Sequence, residues 1–189
     1  MFVSVAGAAT NPIVPHHAVE LHLRNGPTDW TILRPGFFAQ NLESAYRRDI
    51  CRDDRIYVPA GRGKVAFIDT RDLAAIAVQA LLEPAAHAGK AYTLTGPGAL
   101  SFVEVAAILS QNVGRTIRYV PASAIGYFRH LLKAELPFGQ ALIQTILHVG
   151  LRFGQAETVD PTLARLLGRA LTMADYIRDH ENIWAKHTG

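Results

Sequence analysis

Short apolar runs and amphipathic stretches alternate along the first two thirds of the chain. Runs of strand length, rich in apolar and β-branched residues, occur in order at MFVSVA, WTILRP, RIYVP, KVAFI, AYTLTG and TIRYVP. Between several of them lie segments whose apolar positions recur at helical spacing, such as DTRDLAAIAVQALLEP and SFVEVAAILSQNVG. Strands that alternate with helices predict an α/β fold with a largely parallel sheet.

Start and stop signals place these two helices. Either Asp69 or Thr70 can cap the first of them, and Pro84 ends it. Ser101 and Glu104 have the S-x-x-E spacing of a capping box at the start of the second, which Gly114 ends.

Three other regions are predicted to be helical. One helix runs from Pro15 to Gly26, and a second stretch runs from Phe37 to about Asp49. Beyond Ala122 the strand pattern stops and only helical segments follow. We therefore predict one domain over residues 1–189, with an α/β part at 1–121 and a helical part at 122–189.

Composition restricts the classes of function. The formal charge is +3, and the 15 arginines are dispersed, with only Arg47 and Arg48 adjacent. This dispersion argues against a nucleic-acid-binding stripe. No apolar run approaches the roughly 20 residues that span a bilayer, and the single cysteine, Cys51, is typical of a reducing compartment. We expect a cytoplasmic protein with neither a membrane nor a nucleic-acid partner.

The segment WTILRPGFFAQN is the most informative for function. A strand that ends in Arg34-Pro35-Gly36 puts a tight turn at its carboxyl end, where ligands lie in open α/β sheets. Phe37 and Phe38 could form the wall of an apolar pocket, with Asn41 offering polar contacts. The alternative, of similar weight, is that both phenylalanines belong to the core and Asn41 faces solvent.

One other group of polar residues is a candidate site. In HHAVELH, His16 and Glu20 share a helix face, but no third ligand follows at a convincing spacing, so a solvated polar face is the better interpretation than a metal site. We predict no metal site. His17 is the one histidine here with interest as a polar group beside a pocket.

Taken together, WTILRPGFFAQN and the stretch from VAFIDTRDLAAIAVQ to GRTIRYV resemble the NmrA-like, atypical short-chain dehydrogenase/reductase family. The likeness runs from Met1 to about Val120, and a weaker one returns at DPTLARLLGRALTMADYIRDH. The resemblance implies the C-terminal portion of a Rossmann-like, doubly wound parallel sheet with a small, largely helical substrate-side region. It also implies NAD(P) as the cofactor and a quinone-like or other small molecule as hydride acceptor.

The resemblance assigns roles residue by residue. Cofactor-binding positions are Ser4, Ala6, Arg34, Pro35, Gly36 and Phe37, and acceptor-binding positions are Phe37, Phe38 and Asn41. His17 lies near the place of the family's helix lysine and is the candidate catalytic proton donor. The family's Tyr-x-x-x-Lys pair is not seen, because the helix from Pro15 to Arg24 has neither residue.

One part of the family pattern has no counterpart. The 189 residues contain no G-x-G-x-x-G and no G-x-x-x-x-G-K-[ST] motif. We therefore expect a chain that is truncated at its N-terminal side relative to the family and that binds dinucleotide weakly by itself. The alternative function is a non-enzymatic redox-sensing regulatory or interaction protein.

The apolar opening strand carries a prediction about partners. An unpaired apolar strand edge tends to pair with another chain. We therefore expect a homo-oligomer, or a complementing chain that supplies the N-terminal strands, to meet the sheet edge at Val3 to Val5.

Overall fold

The computed structural model describes residues 1–185, and contacts divide the chain into two compact units. Unit 1 comprises residues 1–39, 66–98 and 159–172. Unit 2 comprises 40–65, 99–158 and the residues from 173 onward. Each unit is thus built from three separate segments. The predicted single domain with a division near residue 121 stays a prediction.

Unit 1 is a small parallel sheet with helices. Its elements are β1 (Phe2–Val3), α1 (Pro15–Asn25), β2 (Thr31–Pro35), α3 (Thr70–Leu82), α4 (Pro84–His87), β5 (Lys90–Leu94) and α8 (Thr162–Leu167). The strand order is β1-β2-β5, and both pairs are parallel. Parallel neighbours joined by helical crossovers are the α/β arrangement that the alternating pattern predicts.

The core of unit 1 lies between the sheet and its helices. Its five fully buried members come from β2, the residues before α3, α3 itself, β5 and α8, and they are Leu33, Ile68, Ile76, Leu94 and Leu163. Full burial of a side chain of this size contributes about 1.5–3 kcal/mol. As predicted, Asp69 caps α3, with its carboxylate accepting from the Arg71 amide at 2.9 Å, and α3 ends before Pro84.

Unit 2 combines two small sheets with the remaining helices. Its strands are β3 (Arg55–Val58), parallel to β7 (Arg118–Pro121), and β4 (Lys64–Val65), antiparallel to β6 (Leu100–Ser101). Its helices are α2 (Arg47–Asp53), α5 (Phe102–Val113), α6 (Ala124–Lys133), α7 (Phe138–Leu151) and α9 (Met173–Asp179), followed by the 3-10 helix Glu181–Trp184. The predicted capping box of α5 is present: Ser101 accepts from the Glu104 amide, and the Glu104 carboxylate accepts from Ser101.

The core of unit 2 is rich in aromatic rings. Its largest fully buried side chains are Tyr46, Phe102, Tyr127, Tyr176 and Trp184. Tyr46 Oη lies 2.5 Å from His148 Nε2, and His148 Nδ1 lies 2.6 Å from the Gln144 carbonyl oxygen. Since a carbonyl oxygen only accepts, His148 donates a hydrogen bond from Nδ1 and accepts one from the Tyr46 hydroxyl at Nε2. Burial lowers the pKa of His148 and raises that of Tyr46, so both groups stay neutral.

The predicted helix from Phe37 to about Asp49 is wrong. A 3-10 helix occupies Ala39–Asn41, and α2 begins only at Arg47. Phe38 pairs with Ile68 as a parallel bridge, and the Ile68 amide donates to the Phe37 carbonyl at 2.9 Å. These sheet-like bonds use the backbone groups that a helix would have paired internally.

Among the described residues, no helix has both the length and the apolar character that a membrane-crossing segment requires.

Candidate functional site

The carboxyl ends of the three strands of unit 1 meet along one edge of the sheet. Beyond the paired strands, the Ser4 amide donates to the Leu33 carbonyl at 2.7 Å and the Ala6 amide donates to the Pro35 carbonyl at 2.9 Å. On the other side, the Gly36 amide donates to the Leu94 carbonyl at 2.8 Å. The backbone around the predicted positions Ala6, Pro35 and Gly36 is therefore joined into one edge, at the place where open α/β sheets bind ligands.

A buried ion pair lies directly behind this edge. Arg34 Nε donates to Glu20 Oε1 at 2.9 Å and its Nη2 donates to Oε2 at 2.5 Å, which is a two-point guanidinium–carboxylate contact. Ser4 Oγ donates to the same Oε1 at 2.6 Å. The exposed fractions are 2% for Ser4, 2% for Glu20 and 8% for Arg34. The predicted cofactor positions Ser4 and Arg34 thus direct their side chains to Glu20.

In the triad of Ser4, Glu20 and Arg34, the charge of the carboxylate matches that of the guanidinium. Hydrogen bonds from Arg34 lower the pKa of Glu20, and the Ser4 hydroxyl acts in the same direction, against the opposing effect of burial. Glu20 is therefore ionised, and its charge balances the buried guanidinium. Arg24 also reaches Glu20, at 3.9 Å, and stacks over the Trp30 ring at 5.3 Å.

The expectation of a solvated polar face on α1 is wrong for Glu20. The sequence did contain a signal for the buried pair: an arginine in the apolar strand TILRP needs an acidic partner once it is buried. Before Trp30 the chain has only two acids, Glu20 and Asp29. Of these, only Glu20 lies on the helix that precedes the strand.

His17 is held by the loop that follows β1. Its Nδ1 lies 2.7 Å from the Ala8 carbonyl oxygen, so Nδ1 carries a proton and donates it. The ring is half-buried. Gly7, in the same loop, has φ +85°, and no atom lies within 4 Å of the point where a Cβ would stand. Gly7 thus borders open space, in the loop whose Ala8 carbonyl anchors the imidazole.

The two phenylalanines after β2 differ in their surroundings. Phe37 is half-buried and meets the Phe67 ring edge-on, with the centroids 5.7 Å apart. Phe38 packs against the core of unit 1, which agrees with the alternative interpretation for that residue. Asn41 belongs to unit 2, where its carbonyl accepts from the Tyr46 amide at 3.1 Å. The predicted acceptor residues are therefore not gathered within one unit.

Residues at the end of β5 complete the edge, and the sequence interpretation did not include them. The Asp160 amide donates to Thr95 Oγ1 at 2.8 Å. Gly96 lies so close to the neighbouring backbone that a Cβ there would stand 1.8 Å from the Phe67 carbonyl oxygen. The chain bends at Pro97 and Gly98, and glycine is required at position 96 by this close contact.

Within residues 1–185, no group of three or more His, Cys, Asp and Glu side chains could hold a metal ion. Cys51 is buried, and its thiol donates to the Ile183 carbonyl at 3.4 Å. The polar groups at the sheet edge of unit 1 form the candidate site.

Residues 7–177 match the NmrA-like family. This chain belongs to the NmrA-like family. The NmrA-like chain is 54% identical to the NAD(P)H azoreductase of Xenophilus azovorans over 91 residues. This aligned stretch covers 48% of this chain and 31% of that protein. It is 32% identical to the uncharacterized oxidoreductase YesF of Bacillus subtilis over 158 residues. This aligned stretch covers 82% of this chain and 55% of that protein.

Solved structures of similar proteins identify the fold of this NmrA-like protein. It superposes on a new type of NADPH-dependent quinone oxidoreductase from Escherichia coli with a TM-score of 0.83 at 28% identity, covering 94% of this chain and 65% of that one. Its TM-score with the triphenylmethane reductase of Citrobacter sp., complexed with NADP(H), is 0.84 at 25% identity, covering 94% and 63%. The fold is the predicted Rossmann-like α/β fold. The chain spans less than two thirds of the length of each of these four proteins.

Proposed function

We propose that this chain contributes the nicotinamide and acceptor side of an NAD(P)H-dependent reductase for a quinone-like or other small acceptor. Membership of the NmrA-like family supports this, as does its likeness to proteins named NAD(P)H azoreductase and NADPH-dependent quinone oxidoreductase. The observation that carries the proposal is the single backbone edge formed by Ala6, Pro35 and Gly36, which continues into the loop that anchors His17.

The residues present fit the nicotinamide half of a dinucleotide. The backbone of Ala6, Pro35 and Gly36 would hold it, with the open space over Gly7 available beside them. For the pyrophosphate, the 189 residues offer no G-x-G-x-x-G motif, so the proposal assigns that group no residue of this chain.

Ser4 and Arg34 act through position. Their side chains bind Glu20, and this fixes α1 against the ends of β1 and β2. Through that pairing they set the backbone edge on which the cofactor would lie. Phe37 is proposed to contact both cofactor and acceptor, and Phe38 and Asn41 stay predicted acceptor residues.

Reduction of a quinone to a hydroquinone consumes one hydride and one proton. The dinucleotide supplies the hydride when it is bound. His17 is the proposed proton donor: its Nδ1–H is held by the Ala8 carbonyl, so in the protonated ring Nε2 carries the proton that can be transferred. After transfer the ring is neutral, with its tautomer fixed by Ala8, and it takes the next proton from water.

Binding is tested by titrating the purified chain with NADPH while following tryptophan fluorescence. Trp30 is in unit 1 and stacks against Arg24, so it reports on the unit that carries the site. Saturation below millimolar NADPH supports the proposal, because weak binding is expected of a chain without a pyrophosphate motif. No change up to millimolar NADPH would overturn it for this chain.

Turnover is tested with a naphthoquinone as acceptor, by following the loss of NADPH absorbance. His17→Gln should lower the rate about 10²–10⁴-fold, the usual contribution of a positioned acid, while the affinity for NADPH stays the same. His22→Gln, on the exposed side of the same helix, is the matched control and should leave the rate unchanged. Saturable binding without any turnover would favour the regulatory alternative.

A further inference from the structure

Helix α7 buries one face and exposes apolar side chains on the opposite face. One face is buried in unit 2 and consists of Ala141, Thr145, His148 and Leu151. The other lies exposed, with 43% of Leu142, 59% of Ile143, 61% of Ile146 and 48% of Leu147 accessible. Phe138 and Phe153, at the two ends, are 66% and 79% exposed. We call these six residues the α7 patch. Monomeric proteins rarely leave contiguous apolar surface beyond a few hundred Å² uncovered, and larger patches mark interaction sites.

The apolar residues at the centre of the α7 patch occur in palindromic order. Its centre has the sequence Leu-Ile-Gln-Thr-Ile-Leu over residues 142–147, so leucine and isoleucine recur in mirrored order about the midpoint between Gln144 and Thr145. A surface of this kind is complementary to a second copy of itself turned end to end. In a twofold interface each residue i contacts j of the partner while j contacts i of the partner.

We propose that two copies of this chain dimerise through α7, packed antiparallel about a twofold axis that passes near Gln144 and Thr145. Leu142 of one copy then contacts Leu147 of the other, and Ile143 contacts Ile146. The twofold axis generates each of these contacts twice. With a rise of about 1.5 Å per residue, Phe138 lies about 10 Å along α7 from the twofold axis, towards the end where the other copy places Phe153, which follows its α7. Each end of the interface is thus closed by an aromatic pair, a contact that prefers edge-on or offset geometry.

The size and charge of the α7 patch favour a second copy over other occupants. From the exposed fractions, the six side chains present on the order of 600 Å² per copy, which two copies double to the lower end of a standard interface. Phe138–Leu151 contains no Asp, Glu, Lys or Arg, and burial keeps its one histidine, His148, neutral. Helices that lie on membranes are instead rich in Lys and Arg around their apolar face.

The twofold axis gives the proposal a sharp test by sedimentation velocity of the full chain over a range of concentrations. The unmodified chain should be dimeric. Ile143→Lys alone and Ile146→Glu alone should each weaken dimerisation about a hundredfold, because each puts a charge against isoleucine at both ends of the contact. The double variant I143K/I146E should restore the dimer, since each lysine then faces the partner's glutamate, and the restored dimer should weaken with salt.

Val78→Lys is the matched control, because Val78 is 54% exposed on α3 and belongs to unit 1, whereas the α7 patch belongs to unit 2. It should leave the dimer intact, and circular dichroism should give the same helix content for all variants. A monomeric unmodified chain at all concentrations would overturn the proposal. So would a dimer that both single variants leave unchanged, and so would a monomer that binds neutral phosphatidylcholine vesicles through this patch. Failure of NADPH binding would not affect this result, so the two proposals fail separately.

Discussion

At the scale of residues, the Ser4–Glu20–Arg34 triad has the largest expected effect on stability. Glu20→Gln leaves the Arg34 guanidinium buried without its counter-charge. Breaking one side of a buried pair typically costs about 3–5 kcal/mol. Urea unfolding at neutral pH should report a loss of this size. Glu83→Gln, at an exposed position, is the control and should change the free energy of unfolding by about 0.5 kcal/mol or less.

The same pair has a defined pH dependence. Because Arg34 lowers the pKa of Glu20, the pair contributes stability that is fully present above the ordinary value of 4.5 and is lost as the pH falls through the lowered pKa. The difference in unfolding free energy between the unmodified chain and the Glu20→Gln variant should therefore shrink in acid. A difference that stays constant from neutral pH into this range would contradict an ionised, paired Glu20.

At the scale of elements, the turn after β5 makes a prediction about two neighbouring glycines. A Cβ at Gly96 would stand 1.8 Å from the Phe67 carbonyl oxygen, whereas a Cβ at Gly98 would meet no atom within 4 Å. Gly96→Ala should therefore force a backbone shift that costs about 1–3 kcal/mol. Gly98→Ala should be neutral within about 0.5 kcal/mol. Equal urea midpoints for the two variants would show that the turn relaxes freely.

Local signals explain which elements were predictable. The Ser101–Glu104 box, the Asp69 cap and Gly114 each act within a few residues of the helix end they define, so their spacing is visible in the sequence. The segment from Phe37 to Asp49 does not begin as the predicted helix, because the backbone of Phe37 to Ala39 pairs with Ile68, about thirty residues further along. No local pattern records such a pairing.

In the candidate site too, features set by neighbouring residues were predictable and those set by distant residues were not. The turn Arg34-Pro35-Gly36 and its place at a strand end were predictable, since strand and turn residues adjoin in sequence. The partner of Arg34 depended on the parallel register that sets Phe2 beside Ile32 and so brings β1, α1 and β2 together. Register between parallel strands is a tertiary property, so the local sequence predicts a solvated position for Glu20 rather than a buried one.

At the scale of the whole molecule, the interleaving of the two units predicts how the chain unfolds. Each unit draws on three separate segments, so neither can be formed from one continuous stretch. Melting one unit releases both ends of segments that the other unit needs, and we expect a single cooperative transition in urea.

The two tryptophans allow this to be measured unit by unit. Trp30 lies in unit 1 and the fully buried Trp184 in unit 2. In a Trp30→Phe variant, fluorescence reports on unit 2 alone, while circular dichroism reports on all helices. The two curves should coincide, and in the unmodified chain both probes should share one midpoint. Because Phe at position 30 keeps an aromatic ring under Arg24, the substitution should shift that midpoint little. Separate fluorescence and dichroism midpoints within the variant would mean that one unit persists without the other, despite their shared segments.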